Sequence, residues 1–433
     1  MRVPQRRKTL FHDPGAHSNP FRMLLWGFLI LAGLNTLRGV DSGDIQPLFM
    51  PTPTSTRSAT SYREEGTAFF EAGNLDDAIA AYQDALRENP NDYVGWTQLA
   101  RIQTYSSSLL TQDRKRTRLE DALESIDRAV ALAPEDSMAH AVRSFVLDWS
   151  AGAAGTSEQR QAFLAQATTE AILAVQYDNR NVLAQAYQAE ILADQQQFTQ
   201  AFQKAELAIS LEPNSMDTRR VYAYVLESSG EYASAIEQYR LAAELAPNLT
   251  FLYISIGQNY RQLGLHDQAL EYFDRAAAIN EVLGIEDPLP YVAIAKTYTR
   301  MGEFFAAALN AEKAIDIDPT NPDLFGQLGD IYHRSRNYEG AIPVLQCAVE
   351  GCSAAEISEA SEERWQSDVG GLELDNNSLH YYYIYGSVLA ALDHCERAYP
   401  VLGSVEEFAS SDAVVLAIVR EGYQVCENLA ARN

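Results

Sequence analysis

Basic residues are scarce in this chain. Of 433 residues, 33 are Lys or Arg against 59 Asp or Glu, a formal net charge of −26. Nucleic-acid affinity depends on cations that neutralise phosphates, so this balance argues against a nucleic-acid partner. Histidine and cysteine are sparse too, at seven and four. The histidines are scattered and no C-x-x-C occurs, which argues against zinc and against a dithiol redox centre. Also missing are G-x-x-x-x-G-K-S/T, H-E-x-x-H and G-x-S-x-G, the spacings that build phosphate loops, zinc proteases and serine hydrolases. No enzyme, metal or cofactor is expected.

Long apolar runs are missing as well, with one exception. Residues 1–40 hold Arg2, Arg6, Arg7, Lys8, Arg22 and Arg38 against Asp13 alone, a net of +5 in an acidic protein. Between Arg22 and Arg38 lie 15 uncharged residues, MLLWGFLILAGLNTL. Met23–Val40 is just long enough to span a bilayer if the flanking arginines snorkel. No A-x-A-like cleavage site follows, and no cysteine for lipoprotein processing. The expectation is a basic cytoplasmic segment (1–22), a single-pass transmembrane anchor (23–40) and a Pro/Thr/Ser-rich linker (41–60). The rest would lie outside the cytoplasm; secretion after signal cleavage is the alternative.

Beyond the linker a ruler repeats. Gly230, Tyr232, Ala235, Tyr239, Ala242 and Pro247 recur 34 residues earlier as Ala201, Ala205, Ala208 and Pro213. Thirty-four residues later they recur as Gly264, Ala269, Phe273 and Ala276. Further copies are Gly302, Ala307, Ala311, Ala314 and Pro319, and Gly73, Ala78, Tyr82, Ala85 and Pro90. Before each ruler runs a bulky–small–bulky set such as Tyr253-Gly257-Tyr260 or Phe325-Gly329-Tyr332, spaced to share one helix face. The pattern resembles the tetratricopeptide repeat (TPR) family over nearly all of residues 59–410. The resemblance implies an all-α fold: a right-handed superhelical α-solenoid of about nine helix-turn-helix units. One helix pair cannot bury both faces, so neighbours stack and share a core.

Unit starts fall near residues 59, 93, 137, 182, 216, 250, 288, 322 and 379. Units one to eight would occupy 61–352. Residues 353–378 carry seven acids against Arg364 and read as a solvated acidic loop. The ninth unit and a capping helix would fill 379–433. Asp368, Glu373 and Asp375 do not match EF-hand spacing. Cys395 and Cys426 stand level across a helix hairpin, and Cys347 and Cys352 flank a helix end, so these are the candidate disulfides of an exported domain, with four buried thiols as the alternative.

In the TPR family the first helix of each unit lines a concave groove, which implies a protein or peptide partner. Carried over position by position, the groove residues are Arg220 and Tyr224, then Phe251, Ile254, Gln258 and Arg261, then Leu289, Val292 and Lys296. This set combines apolar groups with three cations, suited to an extended peptide bearing an acidic group. The Lys–Asn–Asn–Lys–Arg set with which some members hold a C-terminal carboxylate is not supplied here. A second surface, His380 and Tyr383 in LHYYYIYG, offers rings for stacking. It motivates the alternative of an accessory subunit in surface polysaccharide or glycan synthesis or export.

Overall fold

The computed structural model describes residues 19–41 and 57–431. The basic run Arg2–Lys8 and the linker residues 42–56 lie outside the described residues. The chain forms two compact units, Met1–Arg57 and Ser58–Asn433. In the first, α1 (Pro20–Asp41) exposes Leu24, Leu25, Trp26 and Phe28 alike. A helix apolar on all sides is not stable facing water. Its stretch Pro20–Gly39, 20 residues with mean hydropathy 1.4, is long and apolar enough to cross a bilayer. A signal sequence near an N-terminus meets the same description.

Among the described residues, the second unit is nine helix pairs, one short helix and a cap. The pairs are α2 (Ala59–Glu71) with α3 (Leu75–Glu88), α4 (Tyr93–Ser107) with α5 (Gln112–Leu132), and α6 (Ser137–Gly152) with α7 (Ser157–Tyr177). Then come α8 (Val182–Asp194) with α9 (Phe198–Leu211), α10 (Met216–Ser228) with α11 (Tyr232–Leu245), and α12 (Thr250–Gln262) with α13 (His266–Leu283). Next are α14 (Leu289–Met301) with α15 (Phe304–Ile317) and α16 (Pro322–Arg334) with α17 (Tyr338–Val349). A short α18 (Ala354–Ala360) precedes the last pair, α19 (Leu379–Ala391) with α20 (Cys395–Phe408), and α21 (Ala413–Ala430) closes the end. The first helices begin where the repeat places them.

Residue size explains the pairing. A Cβ added at Gly257 would sit 2.4 Å from the Phe273 ring, and one at Gly329 2.4 Å from Leu345. In these units the small residue of the first helix is the socket for a bulky residue of the second. The turn between them needs one left-handed residue, supplied by Gly230 at φ 88° and Gly264 at φ 74°. Gln196, Arg336 and Asp393 hold the same turn in other units without glycine. The second and third units differ in length: α5 and α7 run 21 residues against 14 in α3, α9, α11 and α15. Their extra residues add two helical turns and a longer connection.

The solenoid also closes on itself. Tyr105 of α4 stacks on Phe251 of α12, with centroids 5.4 Å apart and planes at 8°. The Tyr105 hydroxyl and the Arg101 guanidinium both meet Asp217 of α10, which also accepts from Tyr187 at 3.1 Å. Asn248 Nδ2 donates to Ala72 O at 3.0 Å, and Thr111 Oγ1 to Asp318 Oδ2 at 3.1 Å. The inner face of the early units is therefore a core of buried rings and paired charges, not an open groove.

Both disulfides form. Cys347–Cys352 spans 4.7 Å between Cα atoms, and Cys395–Cys426, 5.6 Å, ties α20 to the capping helix. The segment 353–378, expected as a solvated loop, is instead docked. Arg364 forks onto Asp316 at 2.9 and 2.7 Å and also meets Glu312. Trp365 is 6% exposed, lies edge-on to Phe325, and its indole N–H donates to Asp316 at 2.9 Å. Val369 pairs with Cys352 through two backbone bonds of 2.9 Å. One Arg and one Trp with partners on α15 and α16 outweigh the segment's acidity.

Candidate functional site

The nine groove residues come from three neighbouring first helices. Spacings of three and four put Arg220 and Tyr224 on one face of α10. The same spacing aligns Phe251, Ile254, Gln258 and Arg261 on α12, and Leu289, Val292 and Lys296 on α14. All nine line one cleft of about 480 Å³. Its remaining walls include Leu109 and Lys115 from the long second unit, Asp148 and Trp149 of α6, and Glu190 and Asp194 of α8.

The nine differ in what they present. Arg220 is 4% exposed and holds Glu190 in a bidentate pair at 2.8 and 2.6 Å. Its guanidinium also lies 5.3 Å from the Phe145 centroid and 5.8 Å from that of Trp149. It is a structural cation whose charge is already matched, which corrects the expectation of three available cations from this set. The Tyr224 hydroxyl donates to Asp194. Phe251 and Val292 are buried, while Ile254, Gln258 and Leu289 are half-buried; Ile254 and Leu289 give the cleft apolar surface and Gln258 an amide.

Arg261 and Lys296 remain. Arg261 Nη1 donates to Ala293 O at 3.2 Å, and its buried Nε has no acceptor. Neither residue forms an ion pair among the described residues, and neither does Lys115. Burial lowers the Arg261 guanidinium from its ordinary value, with Arg300 adding to it. Burial lowers Lys296 as well, opposed by Asp323 and reinforced by Arg261. Burial alone lowers Lys115. None of the three has a carboxylate at ion-pair distance among the described residues; Asp323 acts on Lys296 from further off, and Lys296 stays exposed while Arg261 and Lys115 are half-buried.

The acids of the cleft run the other way. Burial raises the Asp148 carboxyl, helped by Asp194 and Glu190, and burial raises Asp194 and Glu227. Asp287, 2% exposed, is pushed up to about 7 by burial, although Leu289 N and Asn280 Nδ2 each donate to it at 2.9 Å. Burial thus disfavours the charged forms of acids and cations alike, and Glu190 is matched by Arg220.

The residues that the sequence reading missed carry a signal. Tyr187–Asp217, Glu190–Arg220 and Asp194–Tyr224 are each 30 residues apart, one repeat less one helical turn. Glu190 and Asp194, like charges four apart on an otherwise uncharged helix, are marked by that contrast alone. His380 and Tyr383 sit on α19, half-buried, and neither lines the cleft, although Lys296 of the cleft acts on the His380 ring; that ring lies 3.8 Å from that of Tyr381.

Stacked antiparallel helix pairs with a shared core define an α-solenoid. Tetratricopeptide repeat models match residues 60–102, 221–249, 252–282 and 310–342, and the chain is a tetratricopeptide repeat protein. Among solved structures it is similar to a thermophilic TPR protein of Thermus thermophilus, at 23% identity over 47% of this chain and 98% of that one, with a TM-score of 0.39. A tetratricopeptide repeat protein from Parabacteroides merdae is 19% identical over 60% and 94%, with a TM-score of 0.34. Yeast Tom70 is 14% identical over 87% and 97%, with a TM-score of 0.38. No curated protein sequence matches the chain.

Proposed function

We propose that this chain is a non-enzymatic scaffold that binds an acidic segment of a partner protein in the α10–α12–α14 cleft. In the same reading α1 anchors it in a membrane and the solenoid stands outside the cytoplasm. The observation that carries the binding site is the convergence of Lys115, Arg261 and Lys296 on one apolar-lined cleft, without carboxylate partners among the described residues. Desolvated like charges raise the free energy of the empty cleft, and an arriving carboxylate relieves it. Ile254 and Leu289 supply the apolar contact, and Gln258 an amide that hydrogen-bonds. Tyr105 and Phe145 of the early units pack into the core with Phe251 of α12, so the segment engages the solenoid at this cleft.

The test is affinity capture with the full chain in membranes, comparing wild type with Arg261→Glu plus Lys296→Glu. The expected result is loss of the partners that wild type recovers. Unchanged recovery would overturn the location.

A further inference from the structure

The floor of the same cleft carries the opposite chemistry. Asp148 of α6 and Asp194 of α8 come within side-chain hydrogen-bonding reach of each other. Glu190, one turn before Asp194, is neutralised by Arg220. Asp194 accepts from the Tyr224 hydroxyl. Asp148 is different. It is 3% exposed, it lines the cleft, and its buried Oδ1 receives no donor. Buried acceptors are nearly always paired, so one left open at the bottom of a cleft marks where a donor belongs. Beside it, the half-buried Trp149 is fixed by its indole N–H donating to Glu190 Oε1 at 3.1 Å. A carboxylate next to a fixed aromatic wall is the pairing that receives organic cations.

We infer that this floor is a cation subsite: Asp148, with Asp194 beside it and Trp149 as its wall, takes the primary ammonium of a lysine side chain carried by the bound segment. The inference rests on the reading of the cleft as a peptide site and adds a charge order to it. The ammonium goes to the α6–α8 floor, and carboxylates go to Arg261 and Lys296 on α12 and α14. Proton balance follows from the surroundings. Burial raises both carboxyls, Asp194 and Glu190 reinforce this at Asp148, and Arg220 opposes it there. At Asp194, Tyr224 and Arg160 oppose the rise and Glu190 reinforces it. Two neighbouring carboxyls whose ionisation burial opposes favour holding one proton between them. The arriving ammonium displaces that proton to solvent and leaves two carboxylates facing one cation; no covalent bond changes.

The probe is n-butylammonium chloride, titrated calorimetrically into the full chain in maltoside detergent at pH 7, in phosphate and in MOPS, neither of which is a primary ammonium, with n-butanol as the uncharged control. Saturable binding is expected, at least tenfold tighter than that of n-butanol, with a buffer-dependent heat reporting proton release. Asp148→Asn should weaken it at least tenfold. Arg261→Gln should leave it within twofold while weakening capture of the acidic segment, so this subsite and the cationic site fail separately. Equal binding of n-butanol, no saturation, a heat independent of buffer, or an unchanged affinity in Asp148→Asn overturns the proposal. If Asp148→Asn does not fold, the n-butanol comparison and the buffer dependence decide it.

Discussion

Replacing Asp287 with Asn should stabilise the protein, and only at high pH. Asp287 is the carboxylate at the α13–α14 junction, 2% exposed and pushed up to about 7. An unfolded Asp titrates near 3.8. Below pH ~4 both states hold the proton, and the group is neutral in its effect. Between pH ~4 and 7 the unfolded chain releases its proton while the folded chain keeps it, so stability falls as pH rises. Above pH 7 the full cost applies, about 4 kcal/mol at 1.36 kcal/mol per pKa unit. The substitution removes that ionisation and keeps an oxygen to accept from Leu289 N. The new amide also needs an acceptor, and Asn280 has one: its Oδ1 is buried and unpartnered, and a flip of the Asn280 amide presents it. Lost charge at the start of α14 takes back about 0.3–1 kcal/mol. The net expectation is a gain of about 3 kcal/mol at pH 8.5 and almost none at pH 4, read as the difference in urea denaturation between variant and wild type. A loss at pH 8.5, or a difference independent of pH, would refute the reasoning.

Other perturbations test other parts of the structure. Arg220→Met strands Glu190 as a buried charge and should cost about 3–5 kcal/mol, with Glu190→Leu added behind it restoring most of that, by equilibrium denaturation. Removing Cys395–Cys426 by paired Ser substitutions opens a loop with a separation of 31 residues. Chain entropy then sets a loss of about 4 kcal/mol, seen as a lower Tm that reductant no longer changes at this bond. Trp365→Ala uncovers Phe325 and should cost about 3–5 kcal/mol. It should also turn Arg364 from a resistant tryptic site, clamped on Asp316, into a labile one, visible by mass spectrometry of a limited digest.

The helix pairs were legible because their cause is local. Gly257 facing Phe273 and Gly329 facing Leu345 lie 16 residues apart, and the same contact recurs with the repeat, so phase alone finds it. The three lining helices of the cleft followed from the same phase. What each lining residue presents did not. Arg220 occupies an inward position, yet its meaning is set by Glu190 on the neighbouring unit. That pairing was readable only as a 30-residue separation repeated at Asp194–Tyr224 and Tyr187–Asp217. The closure of the solenoid was not readable at all. Tyr105 on Phe251 and Thr111 on Asp318 join residues far apart in sequence, and they depend on the accumulated rotation of many units. Segment 353–378 was misjudged because net charge was weighed over the two residues, Arg364 and Trp365, whose partners hold it down.

The central claim is that partners dock in the α10–α12–α14 cleft, and a photo-crosslinking residue tests it most directly. Placed at Gln258 in the full chain in membranes, it should capture a discrete partner that the same residue at the exposed Val414 of the capping helix, 70% exposed, does not. Capture from Val414 with none from Gln258 would contradict the account.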